Sequence, residues 1–123
     1  MSAASARPDR VAAYDRLVAA VPEIVRKGAT MPYTSVNGNM FSYLDASGSM
    51  ALRLPAADRT IFVERFRTSL HEAYGIVQKE YVTVPDELLD DTERLLPYFR
   101  ASHAYALTLK PKPSKRAPGL EAG

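Results

Sequence analysis

At 123 residues, with 46% hydrophobic and 24% charged positions, the chain has the size and composition of one globular domain. A chain this long buries well over half of its unfolded surface, and with no cysteine it has no disulfides or thiolate metal sites to lean on. The net charge is only +2, and four of the sixteen bases but one of the fourteen acids lie from Lys110 onward, so the body is near neutral and composition offers it no basic nucleic-acid-binding face.

Met1 to Arg10 lacks the apolar core of a signal peptide, and no run approaches the roughly 18 apolar residues that span a bilayer. With the absence of cysteine this sets a cytoplasmic, membrane-free expectation. Residues 1–8 are small and polar and are expected to be loose, ahead of a domain over 9–109. From Asp9, Val11, Tyr14, Leu17, Val18 and Val21 recur at helical spacing, with Arg10, Asp15 and Arg16 off the stripe. Pro22 ends that helix near Val21.

The period then changes. Tyr33 to Val36 and Asn39 to Asp45 read as strands joined by Asn37-Gly38, the pair best able to hold positive φ at both central positions of a hairpin turn. Alternation puts Met40, Ser42 and Leu44 on one face and Phe41, Tyr43 and Asp45 on the other. A turn at Ala46 to Ser49 leads into a third strand, Met50 to Leu54. Ala56 to Phe66 returns to helical spacing, with Ile61, Phe62 and Phe66 as its apolar side. Two β-rich runs follow, Ala73 to Val77 and Tyr81 to Val84, split by Gln78-Lys79-Glu80. Asp86, Glu87, Asp90, Asp91 and Glu93 precede Leu95, Leu96 and Phe99, a charge run explained by one or two helix starts, and Pro97 falls early in the last helix. Beyond Leu109 the Pro/Lys-rich residues 110–123 form neither helix nor packed strand and read as a flexible tail. The implied fold is α+β, in the order α-β(3)-α-β(2)-α with an antiparallel sheet.

No catalytic set emerges. There is no G-x-S-x-G elbow, and Ser47-Gly48-Ser49 sits at a turn. His71 and His103 each lack a metal-ligand partner at i+3 or i+4. The acids Asp86, Glu87, Asp90 and Asp91 read as a solvated capping face, without a histidine or phosphate loop nearby to make a magnesium or acid–base site. No phosphate-binding glycine loop is present, so no cofactor is expected. For contacts with a partner or nucleic acid, Tyr33, Phe41 and Tyr43 offer aromatic surface on the sheet, Arg53 a charge beside it, and Lys110, Lys112, Lys115 and Arg116 a basic tail.

Three stretches carry a resemblance: Val36-Asn37-Gly38-Asn39-Met40-Phe41, Leu52-Arg53-Leu54-Pro55, and Glu80-Tyr81-Val82-Thr83-Val84-Pro85-Asp86-Glu87-Leu88. They resemble the TfoX/Sxy N-terminal-domain family, above all its short single-domain members, from about Arg26 to Pro113. That resemblance implies a two-layer α/β sandwich of the YjbR and secretion-chaperone-like kind. It also implies a small regulatory or protein-interaction module without catalysis that pairs as a homodimer; accessory nucleic-acid binding through the basic tail, and a small-ligand binder or enzyme with an unrecognised pocket, stand beside it as alternatives. The family's Met-Phe-Gly-Gly stretch stands here as Met31-Pro32-Tyr33-Thr34, and 123 residues leave no room for the second domain of the competence regulators. No competence role and no catalytic residue is carried over.

Overall fold

The structure, a computed structural model, describes residues 8–28, 31–73 and 75–111. The expected loose segment 1–7 and the tail beyond Pro111 lie outside the described residues. The elements are α1 (Pro8–Ala19), β1 (Tyr33–Val36), β2 (Asn39–Leu44), β3 (Met50–Arg53), α2 (Ala56–Phe66), β4 (Leu70–Ala73), β5 (Ile76–Val84), α3 (Asp86–Leu89) and α4 (Thr92–Thr108). The five strands make one antiparallel sheet in the order β1-β2-β3-β5-β4. Tyr14 and Leu17 of α1, Phe62 of α2, Leu89 of α3 and Leu95 and Phe99 of α4 share a core with Leu44, Met50, Leu52, Val82 and Val84 of the sheet. The result is the expected α+β two-layer sandwich, with α3 as one added turn. Among the described residues no helix is long and apolar enough to cross a membrane.

The β1–β2 hairpin turns as its residues dictate, with Asn37 at φ 54° and Gly38 at φ 79°. Asp91 caps α4 by accepting from the Arg94 backbone N–H. Between α1 and β2 a buried polar contact replaces an apolar one: the Tyr14 hydroxyl lies 2.6 Å from Ser42 Oγ, which also meets Thr34 Oγ1. Burial pushes the Tyr14 phenol up to about 12.

Several expectations are corrected. Alternation along β2 fails because Thr34 pairs with Ser42 while the next residue of β1, Ser35, pairs with Met40. Phe41 is the extra residue of a bulge. It therefore turns into the helix layer, its ring centroid 5.9 Å from Phe99 and 5.4 Å from His103. Fully buried there, Phe41 offers no surface for a base or partner. Met40 and Tyr43, expected on opposite faces, both line one cavity on the other side of the sheet.

The polar triplet Gln78-Lys79-Glu80 does not split two strands. It lies inside β5, and the partner strand starts earlier, at Leu70, turning back through Gly75 at φ 75°. The triplet marks a different irregularity. Leu70 pairs with Val82, but His71 pairs with Gln78, which leaves Lys79, Glu80 and Tyr81 without partners on β4. At that point the end of the β4–β5 hairpin leaves the plane of the sheet.

Arg10, expected off the apolar stripe of α1, is buried. Its guanidinium lies 2.5 Å from Asp90, 3.3 Å from Asp9 and 3.9 Å from Asp86, which raises its pKa chiefly through the Asp90 hydrogen bond. Two acids of the supposed capping face thus tie α3 to α1. On α2 only Phe62 is buried, while Ile61 is 56% exposed.

Candidate functional site

The helix-free face of the sheet is built on one row. Tyr33 pairs with Tyr43, Tyr43 with Ala51 and Ala51 with Thr83, and directly paired residues share a face. The row ends on His71 of β4, whose Nδ1 lies 2.8 Å from Thr83 Oγ1. The bent hairpin brings β4 back over this face: the rings of Tyr43 and His71 meet in a T at 5.7 Å, and the Tyr43 hydroxyl donates to Gln78 Oε1 of β5.

Under the overhang lies a cavity of about 490 Å³, a volume that suits a small organic ligand. The β1–β2 side contributes Met31, Tyr33, Met40, Tyr43 and Leu44, and the hairpin contributes Glu72, Ala73 and Gln78. The β2–β3 turn closes one end with Asp45, Ala46 and Ser47. The cavity is mainly apolar, with Asp45 and Glu72 the acidic residues among those that line it.

The Asp45 carboxylate organises that turn. Its Oδ1 accepts from the backbone N–H of Ser47 at 2.9 Å and of Ser49 at 3.0 Å, and from Ser47 Oγ at 2.6 Å. Its Oδ2 stands 3.2 Å from His71 Nε2, at ion-pair distance for a protonated ring but outside hydrogen-bond alignment. Ser, Asp and His are therefore near one another, but the serine hydroxyl bonds the aspartate, whereas a nucleophilic serine needs the histidine as its base. His71 is buried between Thr83, Tyr43 and Asp45.

Of the residues singled out in the sequence, Tyr33 and Tyr43 come together in this cavity. Arg53 lies on the same sheet but is occupied: its Nε is 2.7 Å from Glu80 Oε1, and the guanidinium lies 5.8 Å from the centre of the Tyr81 ring. Tyr81 donates to the Met40 carbonyl at 2.8 Å, and burial pushes its phenol up to about 12. Lys110 is exposed and contributes its backbone carbonyl, 3.0 Å from Asn39 Nδ2. Lys112, Lys115 and Arg116 lie outside the described residues. His103 sits in the helix layer, on the far side of the sheet from His71. Among the described residues no group of three His, Cys, Asp or Glu side chains has the arrangement to hold a metal ion.

Met31, Met40, Asp45, Glu72 and Gln78 were missed. Met40 was hidden by the bulge, and Glu72 and Gln78 by the bend of the hairpin, neither of which has a local signature. Asp45 did carry one: an acid opening a Ser-Gly-Ser turn is a common acceptor for the turn's own amides. A scan against family models, a search of curated proteins and a search of solved structures each return no match to this chain.

Proposed function

We propose that this chain is a non-catalytic binding module, a cytoplasmic regulatory domain of the kind its resemblance to the TfoX/Sxy N-terminal domains suggests, with the overhung face of its sheet as the site. One observation carries the reading: the β4–β5 hairpin bends over the Tyr33–Tyr43 pair and leaves a 490 Å³ cavity with mainly apolar walls. A sheet face serving only as the outside of a sandwich has no need of such an overhang. The non-catalytic part is supported by the commitment of Ser47 to Asp45 and by the separation of the two histidines across the sheet. The test is a titration with the neutral apolar dye N-phenyl-1-naphthylamine. A saturable, one-to-one fluorescence rise that disappears in the cavity-filling variant Ala73→Trp is the expected result. A rise that survives Ala73→Trp, or no rise at all, would remove the cavity as the site.

A second reading, self-association, is favoured by the free side of β4. That strand pairs only with β5 among the described residues, and Leu70, Ile76 and Val77 of the hairpin are 38%, 67% and 50% exposed. Sedimentation equilibrium of the whole chain decides it: a dimer lost in Leu70→Lys supports pairing along β4, and a monomer at all concentrations ends it.

A further inference from the structure

The charges around the cavity are compensated or turned away, and its ring surface is held in place. We infer that the cavity takes a neutral, planar aromatic molecule; the inference rests on the cavity being the binding site. Asp45 is bonded through Oδ1 to the amides of its own turn, and its Oδ2 stands 3.2 Å from His71 Nε2. Along the hairpin His71 pairs with Gln78 and Ala73 with Ile76, whereas Glu72 pairs with Val77. Alternation therefore puts the Glu72 side chain on the opposite face of the hairpin from Ala73 and Gln78, away from the cavity. No Lys, Arg or His is among the described residues that line it. An ion of either sign would lose its hydration there without gaining a counter-charge.

The wall that remains is rich in rings and sulfur. Tyr33, Tyr43 and Met40 share the helix-free face of the sheet, because Tyr33 pairs with Tyr43, and Met40 pairs with Ser35, two residues on from Tyr33. The Tyr43 ring is held by the rings of His71 and Tyr81, each with its centroid 5.7 Å away, and by the hydrogen bond from its hydroxyl to Gln78. The Tyr33 ring lies against Gly28, where a Cβ would come within 3.0 Å of its Cδ1, and the Tyr33 backbone exchanges hydrogen bonds of 2.8 Å and 2.9 Å with Lys27. Rings fixed before binding lose little freedom when a ligand packs on them. Met31 and Met40 add thioether sulfurs to the same wall. Ring and sulfur contacts both favour an aromatic ligand over a saturated one of the same outline.

The experiment compares three probes of like outline on the full chain, by calorimetry and by the ring resonances of Tyr33 and Tyr43: 2-acetylnaphthalene, its saturated counterpart 2-acetyldecahydronaphthalene, and the anion 2-naphthoate. The aromatic ketone should bind about tenfold more tightly than the saturated one, with the anion weakest. Because the saturated probe is the more hydrophobic, burial of apolar area alone gives the reverse order of the two ketones. The aromatic preference should fall to within about threefold in Tyr33→Leu, which removes a ring, and by about half in Met40→Leu, which conserves volume but removes a sulfur. Met40→Leu carries the comparison if Tyr33→Leu does not fold. A saturated probe that binds as tightly as the aromatic one, a tighter anion, or a preference unchanged in every folded variant overturns the ligand class and leaves the cavity standing as an unselective apolar site. If none of the three probes shifts the Tyr33 and Tyr43 resonances, the cavity reading falls with it.

Discussion

The rings of Tyr43 and His71 meet with centroids 5.7 Å apart at an interplanar angle of 84°, although β3 and β5 lie between their strands. The contact exists because the hairpin bends over the sheet and because the residue in register beside Tyr43 is an alanine, Ala51, fully buried. A larger side chain there would have to occupy the space in which the two rings meet. Ala51→Leu is therefore expected to destabilise by about 1–3 kcal/mol. It should also change the ring-current shifts between Tyr43 and His71. Urea unfolding and the His71 ring resonances check the two halves separately.

Asp45 holds both the β2–β3 turn and the neighbourhood of His71. Asp45→Ala leaves two turn amides without their acceptor and a buried imidazole without its carboxylate, with an expected cost of about 2–3 kcal/mol. Asp45→Asn keeps an acceptor for the turn and should cost distinctly less. Equal urea midpoints for the two variants would contradict this assignment.

The buried phenols set the alkaline limit of stability. Tyr14 and Tyr81 are both pushed up to about 12 by burial, from an ordinary value of 10.0. A group whose folded pKa is raised contributes stability that is fully present below its unfolded pKa and lost as pH rises through the folded one. Stability should hold up to about pH 10 and fall between about pH 10 and 12. Tyr14→Phe removes one hydrogen bond to Ser42, costs about 1 kcal/mol at neutral pH, and should flatten part of that alkaline fall. Urea midpoints from pH 8 to pH 12 provide the check.

Arg10 joins α1 to α3 with a buried side chain and half-exposed carboxylates. Arg10→Ala, which removes the aliphatic stem as well as the charge, should cost about 2 kcal/mol, whereas Arg10→Met keeps the stem and should stay within about 1 kcal/mol. Thermal unfolding of the two variants distinguishes a packing role from a purely ionic one.

On α2 the same comparison separates adjacent residues. Phe62 is fully buried among Phe66 and Tyr98, with centroids at 4.7 Å and 5.2 Å, while Ile61 is exposed. Phe62→Ala should cost about 3–5 kcal/mol and Ile61→Ser no more than about 0.5 kcal/mol. Chemical denaturation of the pair measures the difference directly.

The sequence by itself determined the elements whose causes are local. Asn37-Gly38 dictates its hairpin because few residue pairs tolerate two successive positive φ values, and Ala56 to Phe66 forms a helix between Pro55 and the left-handed Arg67. Asp91 starts α4 because its carboxylate reaches a free backbone N–H one turn ahead. The tertiary structure decided which side of an element faces what. Phe41 changes face because the pairing of β1 with β2 slips by one residue, and a slip is a property of two strands together. Arg10 is buried because α3 arrives with Asp86 and Asp90, more than seventy residues along the chain. The candidate site belongs to this second class. Tyr33 and Tyr43 were visible as aromatics on a sheet, but the cavity above them depends on where β5 parts from β4, and so Met40, Asp45, Glu72 and Gln78 become neighbours only once the hairpin has bent.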